Sequence, residues 1–326
     1  MNRRAFLHFS GGAALATAAT SCAVLPPAAA DALIIDTHQH LWDRRQLTLP
    51  WLEGAPAILR HDYTTASYQR AFAGYNVRSI YMEVDVEPSS HVKEADLIVD
   101  LCRKGTSTTI AATIGGRPAD PGFEAYVKRY AGNGIVKGVR QVLHGDGTPK
   151  GFCLQPAFVR GVRTLGVHGL QFEITIRPTE LMDGVKLTEL CPDTHFVLDH
   201  CGSGDPKAFN PKLAPGLKRN GTAEDWKRGI DVFAKRPNVI CKISGVLASV
   251  PPGQWQAADL APVVNHCLDS FGPHRVVFGG DWPVCLLGGQ VSEWVEALKQ
   301  IISHRPADER RRLWSGNALK HYHLTV

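Results

Sequence analysis

Short apolar runs recur along the chain at regular intervals, each followed by a stretch with helical spacing. The runs are Leu33–His40, Val77–Val84, Thr108–Gly116, Val136–Leu143, Leu170–Ile176, His195–Cys201, Val239–Gly245 and Arg275–Pro283. Apolar runs of this length read as β-strands. The stretches between carry sensible punctuation. Asp120-Pro121 opens one with Phe123, Tyr126, Val127 and Tyr130 on one face, and Gly132 closes it. Thr222 opens another over Trp226, Ile230 and Phe233, and Ser292 a third over Trp294, Leu298 and Ile301. A polar cap, Pro in the first turn and Gly past the last turn are the expected helix signals. Eight strand-then-helix units predict a parallel sheet closed into a (β/α)8 TIM barrel, class α/β, in a single domain. An open doubly wound sheet is the alternative, but no G-x-G-x-x-G follows the first strand. Two segments break the repeat, Leu47–Asp62 and Gly202–Gly221. Both follow strands, so both are expected to roof the active-site face.

The first thirty residues stand apart. Arg3-Arg4-Ala5-Phe6-Leu7 precedes an apolar Gly/Ala-rich run, and Ala28-Ala29-Ala30 offers a small-residue cleavage site, with no acid before Asp31. This reads as a removable export signal of the twin-arginine type over residues 1–30, ahead of the barrel at 31–326. The expected location is periplasmic or otherwise extracytoplasmic. Cys22 offers an alternative lipoprotein cleavage site, although the usual preceding Leu is missing. The other seven cysteines show neither paired spacing nor a C-x-x-C motif, so buried free thiols are expected. The 326 residues, 44% hydrophobic and 21% charged with a net charge of +5, suit a large globular core. No dense basic run exists beyond Arg310-Arg311-Arg312, so no nucleic-acid partner is expected, nor any membrane span.

The chemistry gathers at strand ends. His38 and His40 close the first run, and a strand's period of two places both on one face. Two such imidazoles bind one divalent ion or donate to a bound anion. Asp199-His200 closes the sixth run, with His200 inward and Asp199 turned away to brace the backbone. Asp281 closes the eighth, where an acid ending an apolar run needs a cation, a metal or a chemical task.

His38-Gln39-His40, Asp199-His200 and Phe278-Gly279-Gly280-Asp281-Trp282-Pro283 together resemble the amidohydrolase-2 family of the amidohydrolase superfamily. Gly138-Val139-Arg140, Lys242-Ile243-Ser244-Gly245 and Gly316-Asn317-Ala318 place the resemblance nearest the sugar-acid lactonases and 2-pyrone-4,6-dicarboxylate lactonase. It runs from about Leu33 to Tyr322, and the motifs are specific to the family but not to a substrate. The resemblance implies a (β/α)8 hydrolase that opens a small lactone. It implies Asp281 as the residue that activates water, His200 as its catalytic partner, and Arg140 as a grip on a substrate carboxylate or oxygen. Strand four carries Arg140 and strand five Glu173 where binuclear relatives place metal ligands, so at most one divalent ion is implied. That ion, zinc foremost, would be held by His38, His40, Asp281 and Glu173, and a metal-free centre stays open.

Further inward candidates have two readings each. Glu83 binds a substrate hydroxyl or is a buried paired acid, and Lys242 neutralises an oxyanion or pairs with a neighbouring acid. His144 shares a face with Arg140 beyond the strand, and Trp42 and Trp282 either wall the pocket or join the core. The partner expected is a small lactone or sugar acid, and the oligomeric state stays open. The rival functions are a decarboxylase or hydratase on the same barrel and a non-catalytic exported carbohydrate-binding protein.

Overall fold

The structure, a computed structural model, describes residues 32–145 and 147–326; the proposed leader lies outside them. Eight parallel strands pair in chain order: β1 (Ile34–Gln39), β2 (Val77–Met82), β3 (Thr109–Gly115), β4 (Val136–Val142), β5 (Gln171–Thr175), β6 (Phe196–Leu198), β7 (Val239–Ile243) and β8 (Val276–Phe278). The barrel closes where His40 N donates to Trp282 O at 2.8 Å and Thr37 Oγ1 to Phe278 O at 2.7 Å. Buried Asp36 reinforces this seam by accepting from Gly280 N at 2.7 Å and from Tyr68 Oη at 2.8 Å. Gly280 has no substitute here, since a Cβ would lie 2.7 Å from that carboxylate. The expected TIM barrel is the fold observed.

The helices pack their apolar faces outside the strands, as the caps foretold. Thr222 caps the helix Ala223–Ala234 by accepting from Asp225 N. The helix placed at Ser292 starts earlier, at Val291, where Gln290 and Glu293 form a reciprocal cap. Inside the barrel, Ile35, Ile80, Ala111, Val197, Ile240 and Val277 form an apolar floor, and Ala318 and Tyr322 plug it from the C-terminal helix Asn317–His321 and its following turn. Among the described residues all seven cysteines are free, and no helix is long and apolar enough to cross a membrane.

The two irregular segments fold differently. Leu47–Asp62 tucks Leu47, Leu49, Leu52 and Leu59 inward beside the end of β2, where Trp51 Nε1 donates to Val84 O at 2.7 Å. The hydrogen bonds of Gly202–Gly221 run sideways, from Lys207 to Ser249 O and from Asn210 to Asp259 at 2.8 Å.

Candidate active site

Above the apolar floor the lumen turns polar. Ile35 belongs to the floor, so strict alternation would have turned His38 outward. Between Asp36 and Gln39, β1 advances three residues while β2 advances two, from Ser79 to Tyr81. This bulge re-aims the strand end, and His38 and His40 both face the lumen. Two further site residues lie beyond their strands. β6 stops at Leu198 and β8 at Phe278, while His200 and Asp281 sit past them with φ of 55° each. His200, Cys201, Gly202 and Ser203 make a left-handed turn, a conformation that costs non-glycine residues of order 1–3 kcal/mol each. Tertiary bonds hold it: Trp226 Nε1 donates to Cys201 O at 2.9 Å, and Ser203 Oγ to Ile176 O at 2.9 Å. Gly245, itself at φ 70°, lets β7 pass this turn, because a Cβ there would meet the His200 ring at 2.5 Å.

The outer group comprises His38, His40, His200 and Asp281. Asp281 Oδ1 lies 3.7 Å from His38 Nε2 and 3.7 Å from His40 Nε2, and it has no hydrogen-bond partner. Burial raises the Asp281 carboxyl above its ordinary range, opposed by His200 and Arg140. Burial and Arg140 hold His40 down at about 3; burial, Lys242 and His200 depress His38; burial also depresses His200, against the pull of Asp281. These imidazoles are therefore neutral near pH 7. His40 Nδ1 faces Met82 O at 3.1 Å. A carbonyl only accepts, so Nδ1 carries the proton and the lone pair of Nε2 points at Asp281. Two acceptors facing each other across 3.7 Å call for a proton donor or a cation between them.

That observation tests whether a metal fits. Donor atoms of His38, His200 and Asp281 lie within 4.8 Å of one another, and the Met82 carbonyl fixes the tautomer of His40 as carbonyls commonly do for metal-bound imidazoles. The residues fit one divalent ion.

The inner group lies deeper and is gathered around the Lys242 ammonium. Lys242 Nζ binds Glu173 Oε2, Asp199 Oδ1 at 3.1 Å and His38 Nδ1 at 3.2 Å. Glu173 also accepts from Thr113 Oγ1 at 2.8 Å and Tyr322 Oη at 3.1 Å. Burial pushes Glu173 up to about 7; Asp199, although burial opposes it, is held well below the usual range by Lys242 and His38. Two expectations are corrected here. Asp199 does not turn away, because it lies two residues past Val197 of the lumen floor and continues that face, and the left-handed turn that begins at His200 brings that imidazole to the lumen beside it. Glu173 is not grouped with His40 and Asp281, because Lys242, Thr113 and Tyr322 engage it below them.

The remaining candidates settle as follows. Glu83 is a buried paired acid: Arg140 Nε donates to its Oε1 at 2.7 Å, and Arg140 Nη2 to its backbone oxygen at 2.8 Å. Burial works against the Arg140 charge, but Glu83 and Asp199 outweigh it. With Nε and Nη2 engaged, Arg140 presents Nη1 to the lumen, 3.4 Å from His38 Nε2. His144 stands at the exposed rim, within the fields of Arg140 and Asp85. Trp42 and Trp282 do not wall the mouth. They are 2% exposed and stack edge-on with Tyr63 in the apolar layer between strands and helices. Ser244, unremarked as a site residue, meets His200 Nδ1 at 2.9 Å. Its motif was visible, but only the approach of β7 to the turn after β6 gives it a partner.

The chain matches the amidohydrolase family model over residues 35–324. It is 28% identical to an L-fucono-1,5-lactonase of Burkholderia multivorans, over 90% of this chain and 97% of that protein. It is 24% identical to an L-rhamnono-gamma-lactonase of Scheffersomyces stipitis, over 89% of this chain and 98% of that one. A solved amidohydrolase from Burkholderia multivorans with bound zinc, 25% identical, superposes with a TM-score of 0.76 over 90% of this chain and all of its own. The polar lumen at the strand ends thus sits in a chain that belongs, over nearly its whole described length, to the amidohydrolase family.

Proposed function

We propose that this protein is a hydrolase that opens a small sugar-acid lactone by attack of water, with Asp281 as the proton-transfer residue. The observation that carries the reading is the Asp281 Oδ1 atom, buried, unpartnered and facing two neutral imidazoles. Sugar-acid lactonase relatives support the substrate class. Asp281 takes a proton from water, and the resulting hydroxide bonds to the lactone carbonyl carbon. Arg140 Nη1 lies where it can donate to the developing oxyanion, while its pair with Glu83 holds the guanidinium in place. The ring C–O bond breaks, and Asp281 returns its proton to the tethered alkoxide. His40, His200 and Asp281 would hold one zinc ion, and His38 would join them on release of its Nε2 proton. When bound, that ion supplies Lewis acidity that lowers the pKa of water and polarises the carbonyl.

The test is a pH-indicator screen of purified protein against 1,5- and 1,4-aldonolactones, with mass analysis of products and elemental analysis of the protein. Proton release, with a product heavier than substrate by one water, is expected, at no more than about one tightly held divalent ion per chain. Failure on every aldonolactone, or loss of carbon dioxide, would refute the reading. We also propose export through the twin-arginine route, supported by Arg3-Arg4 and the acid-free apolar run. Replacing both arginines with lysine should hold the protein in the cytoplasm, and undiminished export would contradict it.

A further inference from the structure

Two groups of donors in the lumen have metal-like geometry, and they share His38. One is His38, His200 and Asp281; the other is His38, Glu173 and Asp199, with donor atoms again within 4.8 Å of one another. The second has its centre filled. Lys242 Nζ contacts one donor atom of each of its three residues: Glu173 Oε2, Asp199 Oδ1 at 3.1 Å and His38 Nδ1 at 3.2 Å. All four residues are fully buried. An ammonium has three protons and no acceptor, so three acceptors arranged around it match its whole donor capacity. Neither oxygen of Asp199 receives a well-angled hydrogen bond, so the Lys242 contact to that residue is chiefly charge on charge.

We propose that the Lys242 ammonium is the resident cation of this inner cradle, holding the place of a divalent ion, and that removing it converts the cradle into a transition-metal site. Two carboxylates and an imidazole form a donor set suited to zinc or cobalt. Donor atoms no more than 4.8 Å apart need move by less than about 1 Å to reach bonds of ~2.1 Å. The lysine also has a positioning role. By donating to Nδ1 of His38 it sets the proton of that neutral ring on Nε2, toward Asp281, so the ring would join an outer ion only by giving that proton up. None of this depends on the lactonase reading, because the readout is metal content.

The experiment compares wild type, Lys242→Ala and Lys242→Arg, each purified and equilibrated with zinc or cobalt(II). Lys242→Ala should hold about one more ion per chain than wild type and gain a cobalt(II) visible band. It should also be stabilised by the metal more than wild type in thermal unfolding. Lys242→Arg, still cationic, should gain no ion. Adding Glu173→Gln to Lys242→Ala should remove the extra ion, which places it in the inner cradle rather than beside Asp281. Equal metal content in folded Lys242→Ala and wild type overturns the proposal, as does an extra ion that survives Glu173→Gln. Should Lys242→Ala fold only when metal is supplied, the proposal stands. Should it stay unfolded with metal, Lys242→Met combined with Glu173→Gln decides. Recovery of folding supports a cation that balances the cradle, and no recovery overturns it.

Discussion

The outer and inner halves of the lumen share an imidazole yet are built to opposite rules. In the outer half, Asp281 Oδ1 and two imidazole nitrogens face one another with no hydrogen bond between them. In the inner half, Glu173 has three donors and Lys242 has three acceptors. Buried polar atoms are normally satisfied, so an Asp281 oxygen with neither hydrogen bond nor cation, above carboxylates that share the Lys242 ammonium, marks where the protein leaves capacity for water, ion and substrate. The inner half supplies rigidity; the outer half supplies reactivity.

The largest expected effect breaks the outer half. Asp281→Asn should lower kcat/KM by ~10² to 10⁴-fold, the usual contribution of a general base, and by more if an ion is also lost. Because burial already raises this carboxyl, ionising it in the folded state costs stability. The variant should therefore unfold at the same temperature as wild type or higher at pH 7. The same elevation sets the acid limb of the wild-type pH profile, where activity falls as Asp281 is protonated, above the usual carboxylate range. A large loss of stability in Asp281→Asn would show that the outer half is structural after all.

Breaking the inner half should do the reverse. Lys242→Met leaves two buried carboxylates without their cation and should cost about 3–5 kcal/mol of stability in metal-free buffer, read by urea unfolding. A smaller effect, on the order of 10²-fold in kcat/KM with little change in melting temperature, is expected for His200→Asn, which weakens carbonyl polarisation. The smallest per step of the variable changed concerns acid. The unfolded His40 imidazole takes a proton below ~6.5, whereas the folded one resists until about 3. Stability should therefore fall as pH drops through that window, by about 1.4 kcal/mol per unit for this residue. His40→Asn should flatten the slope of melting temperature against pH, and an unchanged slope would remove His40 from the account.

Much of this contrast was legible before any coordinates, because it depends on local pattern. The eight apolar runs all became strands, and His38, His40 and Asp281 are lumen residues. What failed depended on the backbone leaving its regular path or on distant partners. Asp199 in fact continues the inward face of Val197, and His200 joins it only because the left-handed turn breaks the alternation of the strand. The bulge in β1 shows the same limit from the other side: His38 reached the lumen through an irregularity that a strict period of two does not contain. Glu173 was placed among ligands because nothing nearby in the chain announces Lys242, sixty-nine positions away, or Tyr322. Trp42 and Trp282 sit beside site residues in the chain, but their partner Tyr63 arrives from the folded loop after β1.

Tyr322 places a demand on biosynthesis. Its hydroxyl completes the ring of donors around Glu173, which lies 149 positions earlier in the chain. The lumen cannot be finished until the segment carrying Tyr322 has been made and has folded back under the barrel. Loss of the segment from Lys320 onward would strike the centre of the molecule rather than its edge. A chain ending at Leu319 should accordingly be found in the cell as a protease-sensitive species, with an open barrel floor and a misplaced Glu173.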